Sequence, residues 1–320
     1  MGDSSKPASS PEIAPMKRRD FFATAGAAAT AFSALGDSAA AEDGTARRAF
    51  KLRYAPHFGL FENTAGKDLV KQLEYAASQG FRDWEDNTMH KRPVEEQQRL
   101  ADAMERLGIR MGVFVAYGIG AFGKTAFTGS DEKLRDQAVE EVKASIDVAK
   151  RVNAKWMTVV PGAFNNRVEE GYQTARCIDL LRRCADVLEP HELVMVLEPL
   201  NWWTDHAGLF LRETPQAYEI CRGVNSPSCK ILYDVYHQQI QEGNLIKNID
   251  MAWDEIAYFQ AGDNPGRNEP GTGEINYLNI FKHLHSKGYE GVIGMEHGKS
   301  LGGVEGEKAL IDAYRGVDGF

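Results

Sequence analysis

The sequence predicts an α/β protein whose strands close as a TIM (β/α)8 barrel, and three observations predict it. From residue 51 onward, eight short apolar runs alternate with longer amphipathic stretches. About 250 residues carry those units, the size of a single barrel of this kind. The first run leads into HFGLFENTAG (57–66), which lacks the G-x-G-x-x-G turn that an open dinucleotide-binding sheet places there.

The elements follow in order. KLRYAPH (51–57) is the first strand, and DLVKQLEYAASQG (68–80) the helical stretch behind it, closed by Gly80. FRDWED (81–86) is the second strand, and the helix after it ends on Gly108. IRMGVFVA (109–116) is the third, followed by the long helical stretch DEKLRDQAVEEVKASIDVAKRV (131–152). KWMTVV (155–160), LVMVLEP (193–199), KILYDVY (230–236) and IAYFQAG (256–262) are the next four. Gly288 closes the helix before the eighth, GVIGMEH (291–297). A glycine just before a strand suits a helix C-terminus, where the chain turns through a left-handed conformation. No repeat of 20 to 50 residues is visible.

Residues 1–41 stand apart. Lys17-Arg18-Arg19 precede an apolar stretch from Phe21 to Leu35, and the small residues Ala39-Ala40-Ala41 follow, the plan of an export signal. The apolar part is too short and too rich in alanine and glycine to make a stable membrane span. The paired arginines followed by Asp20-Phe21-Phe22 resemble a twin-arginine signal, read by the bacterial machinery that exports folded proteins. The expected organisation is cleavage near Ala41, a linker over 42–50 and one barrel domain over 51–320, exported to the periplasm or beyond the cell.

Composition narrows the partners. The chain is 43% hydrophobic and 26% charged, as a soluble globular protein is, and its net charge is −9. The first 41 residues carry four basic and four acidic side chains, so the rest keeps the whole −9. Nucleic acid is excluded, because phosphate binding needs a basic patch and no basic run exists. The four cysteines (Cys177, Cys184, Cys221 and Cys229) form no C-x-x-C pair. Cys177 and Cys184, on one helix, lie roughly 10 Å apart by helical rise, too far for a disulfide. Cys221 and Cys229 are near enough in sequence to leave pairing open, with buried thiols the simpler reading.

Polar residues at the C-terminal ends of barrel strands line the catalytic face. The last four strands end in Glu198 (VLEP), Asp234 (LYDVYH), Gln260 (YFQAGD) and Glu296 (GMEHG), separated by 36, 26 and 36 residues. Beneath three of them, Val196, Leu232 and Gly294 offer an apolar or absent side chain. Three carboxylates converging above such a wall repel one another and are costly to bury. One divalent cation is the simplest cure. Three carboxylates and an amide carbonyl make an all-oxygen set, which favours Mg²⁺ or Mn²⁺ over Zn²⁺.

LEPLN (197–201), YDVYHQQ (233–239), GDNPGRNEPGTGEINY (262–277) and GYEGVIGMEH (288–297) together resemble the hydroxypyruvate isomerase family, within the xylose-isomerase-like TIM barrels. The resemblance covers 51–298 in strand order and is most specific in 197–297. It implies one divalent metal on Glu198, Asp234, Gln260 and Glu296, with Glu198 and Glu296 doubling as the catalytic proton-transfer pair. The related ketose 3-epimerases look similar but have a histidine where Gln260 stands.

The expected reaction interconverts hydroxypyruvate and 2-hydroxy-3-oxopropanoate through an enediolate. One glutamate removes a carbon-bound proton and the other delivers one to the neighbouring carbon. His237, Arg267, Asn201 and Lys155 are the candidate substrate contacts. Arg267 is suited to a substrate carboxylate, or alternatively to a loop ion pair with Glu269 or Asp263. Rival readings are a ketose 3-epimerase or other keto-sugar isomerase, and an exported sugar-binding barrel without turnover. The partner is a small hydroxy-carbonyl compound or keto sugar. A homo-oligomer stays open.

Overall fold

A computed structural model describes residues 49–320 except Ile119 and Ala121. The export signal expected over 1–41 and most of its linker lie outside the described residues. Among the described residues nine strands are present: β1 (Arg53–Ala55), β2 (Asp83–Trp84), β3 (Arg110–Met111), β4 (Val115–Tyr117), β5 (Trp156–Val159), β6 (Val194–Leu197), β7 (Cys229–Asp234), β8 (Ile256–Gln260) and β9 (Val292–Gly294). Each falls within or at the edge of one of the eight apolar runs. β3 and β4 are two halves of the run 109–116, so nine strands make eight staves.

Every pairing is parallel, and the order is β1-β9-β8-β7-β6-β5-β4 with β2-β3 as a second pair. Backbone bonds close the cylinder across the pair. His57 bridges Glu85, whose N–H donates to Pro56 O at 2.9 Å. On the other side, Thr158 N donates to Phe114 O at 2.8 Å. A parallel sheet needs a crossover between successive strands, and helices supply it here.

The helices are α1 (Glu62–Ala65), α2 (Leu69–Ser78), α3 (Val94–Leu107), α4 (Glu132–Val152), α5 (Glu170–Leu188), α6 (Thr214–Val224), α7 (Val235–Gln241), α8 (Leu245–Ala252), α9 (Tyr277–Ser286) and α10 (Gly303–Val317). Helix α4 illustrates the local logic. Asp131 caps its start by accepting from Lys133 N and Leu134 N, and Asn153 ends it in the left-handed conformation. Ala138, Val142, Ile146 and Ala149 recur on one face and are buried against the strands. Gly108 ends α3 with φ 64°, as its position before a strand predicts. No helix among the described residues is long and apolar enough to cross a membrane. All four cysteines are buried free thiols, so Cys221 and Cys229 do not pair covalently.

Two apolar layers result. The outer one lies between strands and helices; the inner one fills the cylinder and includes Ala55, Val113, Val196, Leu232, Tyr258 and Val292. Val196 and Leu232 thus lie where the strand periodicity puts them. Two glycines carve the inner wall. A side chain at Gly112 would overlap the Tyr258 hydroxyl, and one at Gly294 would overlap the Glu85 carboxyl.

Glu307 ties α10 to the segment after β1. Its carboxylate accepts from Asn63 N at 2.7 Å, Asn63 Nδ2 at 3.0 Å and Thr64 N at 3.0 Å. Burial pushes its pKa up, but the bonds from Thr64 and Asn63 outweigh it and hold the carboxyl below its ordinary value. A depressed native pKa stabilises above the unfolded value, and that stability is lost as pH falls through the native one. Glu307→Ala should cost about 2–4 kcal/mol at pH 7, because buried donors lose their acceptor. In urea titrations the gap from the wild type should close below about pH 4. A gap that persists unchanged at pH 3 contradicts this account.

Candidate active site

The four strand-end residues gather at one mouth. Asp234 and Gln260 are the last residues of β7 and β8 and are paired in register. Gln260 is in turn opposite Gly294, the last residue of β9. Glu198 follows β6 by one residue, and Glu296 follows β9 by two. Arg267 joins them: its Nη2 lies 3.2 Å from Asp234 Oδ2 and 3.0 Å from Glu296 Oε2. Its Nε also donates to Glu296 O at 3.1 Å. Asn87, from the end of the second stave, donates through Nδ2 to Glu296 Oε1 at 2.8 Å, so both oxygens of Glu296 are held.

Asp234 also accepts from Tyr236 N at 2.9 Å, whereas Glu198 is poorly compensated. Glu198 is buried and receives no hydrogen bond among the described residues; its nearest polar partner is His237 Nε2 at 3.8 Å. Burial, then the neighbouring Glu296 and Asp234, push its pKa well above the ordinary value. Burial likewise pushes Asp234 up to about 7, against the pull of Arg267. One guanidinium among three carboxylates leaves an excess of negative charge.

His237 is wholly buried, and burial, aided by Arg267, holds its pKa well below the ordinary value. Asn201 engages its Nδ1. The Asn201 carbonyl accepts from Thr204 N at 3.0 Å and Asp205 N at 3.1 Å, so its amide nitrogen is the atom 2.6 Å from His237 Nδ1. Nδ1 therefore accepts. Nε2 faces Arg267 and the acids, with Arg267 Nη2 at 3.2 Å and Asp234 Oδ2 at 3.5 Å. His206 packs against the ring, tilted, at 5.3 Å between centroids, and Phe122 meets His206 edge-on at 5.4 Å. A cavity of about 170 Å³ lies among Asn87, Glu198, His206, His237, Arg267 and Glu296.

These residues fit a divalent cation on two observations. Glu198, Asp234 and His237 bring one ligand-type atom each to within 4.8 Å of one another. Gln260 is almost wholly buried, and its Oε1 has no hydrogen-bond partner while its Nε2 donates to Glu85 Oε1 at 3.2 Å. A buried, orphaned carbonyl beside the uncompensated Glu198 is what a coordinated ion would complete.

The predicted substrate contacts divide. His237 and Arg267 stand at the cavity. Arg267 pairs with Asp234 and Glu296 instead of with Glu269 or Asp263. Glu269 accepts from Ser300 N at 2.9 Å, and Asp263 accepts from Gly271 N and Ile275 N within the loop. Asn201 is buried, and its amide is taken up by His237, Asp205 and the Thr204 and Asp205 backbone, so it orients His237. Lys155 is a correction. It is exposed and precedes β5 at Trp156, at the N-terminal end of its stave and the opposite mouth of the barrel. Four residues at about 3.3 Å each separate it from the catalytic end. Glu85, Asn87 and His206 were missed. Glu85 is the penultimate residue of FRDWED and directly follows β2, and the strand-end rule applied to the second stave finds it.

Residues 73–315 match the model of the xylose isomerase-like TIM barrel. Hydroxypyruvate isomerase of Escherichia coli is 31% identical over 78% of this chain and 94% of its own length. The chain belongs to that family. Membership makes it an isomerase. The 2-oxo-tetronate isomerase of Pectobacterium atrosepticum is 29% identical, covering 62% of this chain and 75% of the relative. Among solved structures, a 3-keto-D-glucoside 4-epimerase of Escherichia coli superposes with a TM-score of 0.68 at 19% identity, over 84% of this chain and 100% of that one. Identity that low speaks to fold alone.

Proposed function

We propose that this isomerase interconverts hydroxypyruvate and 2-hydroxy-3-oxopropanoate, with Glu198 and Glu296 as the proton-transfer pair. Glu198, Asp234, Gln260 and Glu296 would hold one divalent ion, Mg²⁺ or Mn²⁺ in preference to Zn²⁺ for an all-oxygen set. The observation that carries the reading is the orphaned Gln260 carbonyl beside acids that a single guanidinium does not balance. When bound, the ion supplies Lewis-acid stabilisation of the charge that develops on the substrate oxygens.

The chain's own residues do the rest. One glutamate takes a proton from C3 and the other returns one to C2, while a hydroxyl proton passes from the oxygen on C3 to that on C2. Asn87 and Arg267 fix the Glu296 carboxylate from its two sides. His237, set by Asn201, turns Nε2 toward the substrate cavity. Arg267 Nη1 has no hydrogen-bond partner among the described residues and suits the substrate carboxylate.

A keto-sugar substrate is the second reading, favoured by one observation. A further hollow of about 380 Å³, bounded by His57, Phe58, Asp86, Thr88 and Arg92, adjoins the site through Asn87 and Glu296. A three-carbon acid does not need it. Purified protein should be assayed with hydroxypyruvate, 2-oxo-tetronate and a series of ketoses, with and without Mn²⁺. The first reading expects the highest kcat/KM on hydroxypyruvate, and a ketose turned over better would replace it with the second. Thermal stabilisation by a sugar without turnover of any compound would instead indicate a binding protein.

A further inference from the structure

Gln260 has a problem the carboxylates do not. Its amide presents oxygen on one side and nitrogen on the other, and the two are nearly the same size. The group can coordinate a cation only with the oxygen inward. Turned over, it would point an N–H pair at the ion. Something must therefore choose between the two orientations, and a hydrogen-bond acceptor on the far side is the simplest device.

Glu85 is placed to be that device. Its backbone is pinned at the top of the second stave, with its own N–H on Pro56 O at 2.9 Å and the next residue's N–H on Val113 O at 3.3 Å. Its side chain crosses the cylinder interior and is 2% exposed. It occupies the notch left by Gly294, opposite Gln260 in the β8–β9 register, and any larger residue there would displace the carboxyl. Its Oε1 accepts from Gln260 Nε2, and Gln260 Oε1 is the amide atom left over. Charged or neutral, the carboxyl group keeps an oxygen that accepts, so the arrangement does not depend on its protonation.

We propose that Glu85 is a positioning residue that clasps the Gln260 amide so that its carbonyl is presented to the ion, with Gly294 providing the room. This rests on the ion site proposed above. Outer partners that orient a ligand in this way typically change metal affinity about 10–100-fold when removed. The clasp also explains how an amide can serve in this position, because a residue with a donor on one side and a lone pair on the other meets both demands.

The test is Mn²⁺ affinity by titration calorimetry on the purified protein, with no substrate present. Glu85→Leu, which keeps volume and removes the acceptor, should weaken binding about 10–100-fold. Glu85→Gln, which retains an accepting oxygen, should stay within about threefold by the same logic. In a Gln260→Ala background, Glu85→Leu should have no further effect, which a role in mere folding would not reproduce. Should Glu85→Leu fail to fold, Gly294→Ala asks the same question by evicting the carboxyl and should give the same loss. Undiminished affinity in a folded Glu85→Leu or Gly294→Ala protein overturns the clasp, as does an equal loss in the Gln260→Ala background. Wild-type protein that binds no divalent ion sinks the ion site itself, a separate outcome.

Discussion

Glu198→Gln and Glu296→Gln should each lower kcat about 10²–10⁴-fold, the range expected when a positioned proton carrier is lost. The two losses should differ in kind. Each variant retains one member of the pair, so incubation in deuterated water should still exchange the substrate proton that the intact glutamate handles and leave the other. The geometry points to Glu198 as the cleaner probe of proton transfer. It has no hydrogen-bond donor of its own, whereas Glu296 is held by Asn87 and Arg267. An amide at Glu296 would turn a donor toward one of those two donors, so some loss there is misorientation. Full exchange at both carbons in both variants would remove the two-glutamate mechanism.

Stripping the ion should have the second largest effect. Chelation should abolish turnover, and adding Mn²⁺ or Mg²⁺ should restore it. At an ion concentration 1,000 times Kd, binding adds about 4 kcal/mol to stability. For a domain of this size that is roughly 8–16 °C in Tm. The physical source is the site's own repulsion: burial and mutual proximity raise the carboxyls of Glu198 and Asp234, and a divalent charge relieves both. The gain should shrink in acid, because protons compete with the ion for the same oxygens. Thermal melts across pH with and without Mn²⁺ check this. A Tm indifferent to every divalent ion at neutral pH contradicts the site.

Much of this was legible in the chain. Strand positions follow from runs of apolar residues, and the barrel from their number and spacing. The ligand set follows from one rule, that side chains at the C-terminal ends of staves share a mouth. The same rule, applied evenly, would have added Glu85 and excluded Lys155, which opens its strand instead of closing it. What could not be read is how one strand end touches another. Asn87 meets Glu296 across 209 positions, and Gln260 meets Glu85 across 175. Arg267 has Asp263 and Glu269 within four residues, yet its loop carries it over the mouth to Asp234 and Glu296.

By itself, then, the sequence determined the barrel and the residues that crown its last four staves. These are consequences of a two-residue period and a chain direction, both local. Only the tertiary structure decided which oxygen of Glu296 each donor holds, which partner meets each nitrogen of His237 and which way the Gln260 amide is turned. Those choices depend on the closure of the cylinder, which lets the Glu85 side chain of the second stave cross the interior into the glycine-sized notch at Gly294 of the eighth.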